Sequence, residues 1–215
     1  MLWQLNNKRS LRSVWAIAII TVIGILAQPG YGQTQAPASS AAAVFTDPRN
    51  GKTYRTVKIG SKTWMAENLN FQTGNSWCYD NADSNCTKYG RLYSWHAALK
   101  ACPAGWRLPD TAAWNNLIQA AGGDIAGTRL KSKTGWSSKG NGTDEFDFSA
   151  LPGGRRYSDG HFAYYITSGR WWSATEFGAR CANCAYYQFM DSDNADVWEL
   201  NSTKGVAFSV RCIKE

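Results

Sequence analysis

The sequence holds only two histidines, His96 and His161. That leaves few imidazoles to act as general bases or zinc ligands. It has no glycine-rich phosphate loop of the Gly-x-x-x-x-Gly-Lys-Ser/Thr type, no Gly-x-Gly-x-x-Gly fingerprint and no His-Glu-x-x-His pair. No paired-carboxylate motif stands out: Asp144, Glu145 and Asp147 share a polar loop and read as solvated or capping groups. His96 falls on an apolar helical stripe and reads as a packed residue. His161 sits in Gly160-His161-Phe162, a loop or hairpin tip, with no Ser or Cys nucleophile signature beside it. No catalytic residue is assigned, and the chain reads as a non-enzyme.

A long apolar run is missing too. Val14 to Leu26 is almost wholly apolar but only 13 residues long, against the roughly 20 that a transmembrane helix needs. Basic Lys8, Arg9 and Arg12 precede it, and Pro29-Gly30-Tyr31-Gly32 follows. That order predicts a secretory signal peptide over residues 1–32, with an uncleaved anchor as the alternative. No cysteine follows the apolar core, so nothing points to a lipid-modified amino terminus. Residues 33–43, rich in Ala, Ser, Gln and Pro, read as a flexible linker. The folded domain is expected over 44–215. The chain's net charge of +7 owes much to the leader; without Lys8, Arg9 and Arg12 there remain 20 basic and 16 acidic side chains, a net of +4. No basic run survives there, which argues against a nucleic-acid partner.

What the chain does have is tryptophan and cysteine. Nine of its eleven Trp lie beyond the leader, and six Cys are present. An even count in an exported chain favours disulfides, with 15 possible pairings. Thr53 to Ile59 alternates, and Thr63-Trp64-Met65-Ala66 returns after Gly60-Ser61-Lys62, which predicts a hairpin. Leu92, Trp95, His96 and Leu99 predict a helix over Tyr89–Lys100. A second starts at Pro109-Asp110-Thr111, capped by Asp110 or Thr111, carries Trp114, Leu117, Ile118 and Ala121, and stops at Gly122-Gly123. Asp124 to Arg170 reads mostly as loop with short strands. Strands follow at Trp171–Ala174, Ala185–Met190, Ala195–Leu200 and Ala207–Ile213. The class is α+β.

Six stretches then resemble one family. They are Gly60-Ser61-Lys62-Thr63-Trp64-Met65-Ala66-Glu67-Asn68-Leu69-Asn70, Tyr89-Gly90-Arg91-Leu92-Tyr93-Ser94-Trp95, Cys102-Pro103-Ala104-Gly105-Trp106-Arg107-Leu108-Pro109, Phe148-Ser149-Ala150-Leu151-Pro152-Gly153-Gly154, Trp171-Trp172-Ser173-Ala174-Thr175-Glu176 and Phe208-Ser209-Val210-Arg211-Cys212. Their sequence and order resemble the Fibrobacter succinogenes major paralogous domain, over roughly Phe45 to Glu215. The resemblance implies an exported bacterial protein with a C-type-lectin-like fold: two helices packed on a small twisted antiparallel sheet, with a long loop region. It implies no activity, and the fold hosts many kinds of binder. It also implies a disulfide between Cys102 and Cys212. Cys78 and Cys86 flank a polar loop that a bridge would pin. Cys181-Ala182-Asn183-Cys184 reads as a short local disulfide; a redox pair would need a thioredoxin-like context, and zinc two further ligands.

Two clusters remain. Asp191-Ser192-Asp193-Asn194-Ala195-Asp196 reads as a turn between strands, with calcium as the alternative; no other cofactor or metal is expected. Arg155, Arg156, Tyr157, Asp159 and His161 combine donors, acceptors and rings in one loop. Trp171 and Trp172 cannot share a strand face, so one should be core and the other exposed or covered by a loop; Tyr186 and Tyr187 pose the same alternation. Arg155, Arg156, Tyr157, Asp159, His161, Trp171, Trp172 and Tyr187, with Asp191, Asp193, Asn194 and Trp198, form the candidate ligand-binding set. The expected function is an exported recognition domain, secreted or in the cell envelope, that binds a glycan or a cell-surface protein. A structural module of a surface assembly is the alternative, and a Cys-x-x-Cys thiol–disulfide protein comes third.

Overall fold

The computed structural model describes residues 43–215. The signal peptide expected at 1–32 and all of the linker except Ala43 lie outside the described residues. Strand β1 (Ala43–Thr46) leads into the expected hairpin, β2 (Thr53–Ile59) and β3 (Lys62–Met65). Gly60, at φ 61°, makes the tight turn that sets Thr56 opposite Met65 and Ile59 opposite Lys62. The last strand, β12 (Ile213–Lys214), completes this sheet in the order β1-β2-β3-β12.

The helix expected over Tyr89–Lys100 is broken. Helix α1 (Asp83–Tyr89) stops at Gly90, where φ is 74°. A Cβ there would lie 2.7 Å from the Asn68 side chain, because the backbone closes on Asn68 and Leu69. The Arg91 N–H donates to Leu69 O, and Leu92–Ser94 runs on as strand β5, paired with β4 (Ser76–Trp77). Helix α2 starts only at Trp95 and ends at Ala101. The delayed start turns Trp95, Ala98 and Ala101 inward and leaves His96 and Leu99 exposed. Sheet pairing has overridden a helical pattern.

Helix α3 (Thr111–Ala120) follows its sequence signals. Asp110 Oδ1 accepts the Ala113 N–H at 2.8 Å, Trp114 and Leu117 are buried, and Gly122 at φ 106° ends the run. A short helix not foreseen, α4 (Ala126–Leu130), opens the loop region, which also contributes β6 (Arg155–Arg156) and β7 (Phe162–Ala163). Three long strands come next: β8 (Ser168–Glu176), β9 (Cys184–Asp191) and β10 (Trp198–Thr203), an antiparallel sheet in the order β10-β9-β8. The expected strand at Ala207–Ile213 reduces to β11 (Ala207–Phe208) and β12, with β11 central in the order β4-β5-β11-β6-β7.

Strand β8 divides two cores. Trp172 packs with Tyr54, Met65, Tyr93, Tyr187 and Phe208; Trp171 packs with Trp64, Trp114, Trp136 and Phe148. Both Trp are wholly buried, the second group including residues of the loop region that cover Trp171. Disulfides Cys78–Cys86, Cys102–Cys212 and Cys181–Cys184 are all formed. Among the described residues no helix is long and apolar enough to cross a membrane.

Candidate recognition site

Five of the six stretches that carry the family resemblance meet around two buried side chains, Asn68 and Arg211. Asn68 Oδ1 accepts from Trp171 Nε1 at 2.8 Å and from Arg211 Nε at 2.9 Å, while Asn68 Nδ2 donates to Tyr89 O at 2.9 Å. Arg211, wholly buried, also donates to Met65 O and Ser149 O at 3.1 and 2.9 Å. Burial lowers Arg211 to about 9, still charged near neutral pH. This node fastens the first hairpin, the loop region, β8 and the carboxyl-terminal segment together. Asn68, Trp171 and Arg211 are therefore buried parts of the frame.

An open cleft of about 550 Å³ lies at another place. Strand β11 positions two of its walls: Ala207 pairs with Ser94 of β5 on one side and with Arg156 of β6 on the other. Trp77, half-buried on β4, lies beneath Arg156, whose guanidinium carbon is 4.1 Å from the ring centre. Asn75, His96 and Ser158 stand around them, with Asn183 and Lys204 on the remaining side. Lys204 is buried and firmly held. Its backbone N–H donates to Asn183 O at 2.9 Å, and its Nζ donates to Ala182 O at 2.9 Å and pairs with Glu176 at 3.3 Å. The Cys181–Cys184 bridge thus closes a small loop that docks on Lys204 and presents Asn183 to the cleft. Among the described residues no carboxylate pairs with Arg156.

The residues expected to bind ligand are dispersed. Arg156 lines the cleft. Arg155, Tyr157 and His161 belong to the same β6–β7 hairpin but face away from it. Asp159 Oδ1 lies 2.6 Å from His161 Nδ1 at the exposed tip, and the His161 backbone and ring hold the Asp159 carboxyl below the usual range. Among the described residues neither His161 nor His96 hydrogen-bonds a hydroxyl or thiol. Trp171, Trp172 and Tyr187 are core, because β8 and the β9 segment beside it are covered on both faces. Tyr186 is half-buried on the face opposite Tyr187. Trp198 is 39% exposed and stacks on Phe189 at the far side of the β8–β10 sheet.

Asp191, Asp193 and Asn194 form the turn ahead of β10. Asp191 Oδ1 accepts the backbone N–H groups of Asp193 and Asn194, both at 3.0 Å. Lys131 Nζ reaches in from beneath and donates to the carbonyls of Asp191 and Asn194 at 2.9 and 2.8 Å. A cation seeking those carbonyl oxygens would compete with a buried ammonium. Burial lowers the Lys131 pKa, against the opposing pull of Asp191 and Asp193.

Sequence reasoning did not single out Trp77, Asn75, Asn183 and Lys204, and read His96, which is exposed, as a packed core or boundary residue. Only the Trp excess hinted that some indole would line a site. Residues 57–214 match the family model described as the Fibrobacter succinogenes major domain. No curated protein and no solved structure gives a significant match. With most of its length covered by that match, the chain belongs to the Fibrobacter succinogenes major domain family.

Proposed function

We propose that this is an exported, non-catalytic recognition domain that binds a glycan in the cleft built around Trp77. The carrying observation is chemical. A half-buried indole lies among hydroxyls, carboxamides, an imidazole and a guanidinium drawn from five separate segments. An aromatic ring suits the C–H face of a sugar, and the surrounding donors and acceptors suit its hydroxyls. Nothing in the lining pairs a nucleophile with a base. A C-type-lectin-like arrangement suits the same reading: helices α1 to α3 precede a long loop region, and Cys102–Cys212 ties the end of α2 to the end of the chain. Three disulfides accord with export.

A glycan array probed with the exported protein tests this reading. Binding by wild type that Trp77→Ala abolishes supports it; an empty array, or hits that Trp77→Ala retains, contradicts it. One observation favours an assembly role instead. Strand β10 is a sheet edge, pairs only with β9, and exposes Trp198 and Leu200. Light scattering after size exclusion separates the two, since an assembling module should grow in mass with concentration.

A further inference from the structure

Arg155 and Arg156 are adjacent on β6, so their side chains leave the hairpin on opposite faces. Arg156 lies over Trp77 in the cleft. The Arg155 guanidinium carbon lies 3.8 Å from the Tyr157 ring centre and 4.8 Å from that of Tyr164. Arg170 of β8 lies 4.7 Å from the same Tyr164 ring and 4.8 Å from the Phe189 ring. Phe189 stacks on Trp198 with centres 5.5 Å apart. At the other end, Tyr157 stacks on His161 at 4.0 Å. Rings and guanidinium groups thus alternate without a gap from the hairpin tip to the edge strand.

Among the described residues the guanidinium charges on this run lack carboxylate partners, although Arg170 Nη1 donates to Ser168 Oγ. Among the described residues no carboxylate pairs with Arg155 or Arg170, and neither Nε atom has a hydrogen-bond partner. Arg170 is only 6% exposed, so its charge acts through a poorly screened medium. Burial lowers it to about 10, which leaves it cationic near neutral pH. Glu199 follows Trp198 but alternates to the other face, where it accepts from Gln188 Nε2 at 3.0 Å. Asp159 is held by His161. The backbone is also strained here. Tyr164 and Ile166 adopt φ of 64° and 56°, and a β-branched residue rarely does so. That geometry leaves the Tyr164 ring 48% exposed yet in contact with both guanidinium groups.

We propose that this face is a second binding surface, separate from the cleft, for an acidic polysaccharide. Its carboxylate or sulfate groups meet half-buried Arg155 in the field of Arg170, and a sugar ring lies on exposed Tyr164. The surface stands whether or not the cleft binds a glycan. Affinity electrophoresis of the full exported protein through gels holding polygalacturonate, dextran sulfate or neutral dextran tests it. Retardation is expected from either acidic polymer and not from neutral dextran, and the stronger of the two names the anion. Affinity should fall at least about tenfold between about 50 and 200 mM salt. Arg155→Ala and Tyr164→Asn, the latter suited to the left-handed backbone, should each weaken binding about tenfold or more, and Trp77→Ala should leave it unchanged. Equal retardation by neutral dextran, equal or tighter binding of a single-stranded oligonucleotide, or full binding by folded Arg155→Ala and Tyr164→Asn overturns the proposal.

Discussion

Asn68 Oδ1 accepts the indole N–H of Trp171 at 2.8 Å, across 103 positions of sequence. The same oxygen accepts from Arg211, so one carboxamide satisfies a neutral and a charged donor, both wholly buried. Asn68→Leu removes the acceptor of Trp171 Nε1 and of Arg211 Nε, while the guanidinium keeps Met65 O and Ser149 O. A buried unpaired neutral group costs about 1–3 kcal/mol and a charged one more. Chemical denaturation should therefore show a loss of at least about 3 kcal/mol; a loss below about 1 kcal/mol would remove the node from the frame.

The three disulfides should differ in what they do. Cys102–Cys212 spans 110 residues, and in the chain-entropy account its removal costs about 4–5 kcal/mol. Cys181–Cys184 spans 3, and its removal should cost about 2 kcal/mol at most. The smaller bridge instead shapes the loop carrying Asn183. The paired substitution Cys181→Ser with Cys184→Ser should thus leave folding nearly intact while weakening any ligand held in the cleft. Equal stability losses for the two bridges in thermal unfolding would contradict this division.

Acid should release the amino-terminal turn. Asp47 is buried and held by Arg49, whose Nε lies 2.9 Å and Nη2 2.7 Å from the carboxylate oxygens. That hydrogen bonding lowers its pKa below the ordinary 3.8. The folded state therefore holds fewer protons there than the unfolded chain. The pair's stabilisation is fully present above the unfolded pKa and fades as pH falls through the folded one. Wild type should lose more Tm than Asp47→Asn between about pH 6 and about pH 3. Parallel losses in the two proteins would show that Asp47 contributes nothing to acid sensitivity.

Lys131 Nζ donates to the carbonyl oxygens of Asp191 and Asn194, which a cation there would have to take from it. Calcium should leave the wild-type Tm unchanged, whereas Lys131→Met should destabilise by about 1–3 kcal/mol by orphaning two carbonyls. Hydrogen exchange should then quicken at the Asp193 and Asn194 amides. A calcium-induced rise in wild-type Tm would show that the ion displaces the ammonium.

Local signals survived where neighbours in sequence are neighbours in space. Asp110, Gly122 and the Gly60 turn are of that kind, and so is the short Cys181–Cys184 bridge. Tyr89–Lys100 failed because its stripe fits a helix, yet Gly90 must close on Asn68 and Leu92 must pair with Trp77, which no local pattern reveals. Alternation at Trp171 and Trp172 was legible, but not that both faces of β8 are covered. The cleft was the least legible part. Trp77, His96, Arg156, Asn183 and Lys204 converge only because β11 inserts between β5 and β6 and the small disulfide loop docks on Lys204.

Trp77 and the polar groups around it are proposed to form the glycan site. Isothermal titration of the strongest array ligand against wild type, Trp77→Ala and Asn183→Ala tests it most directly. The expected result is a loss of at least about tenfold in affinity for each variant, some 1.4 kcal/mol, with Tm unchanged. Wild-type affinity in both variants would place the ligand elsewhere on the domain and contradict the claim.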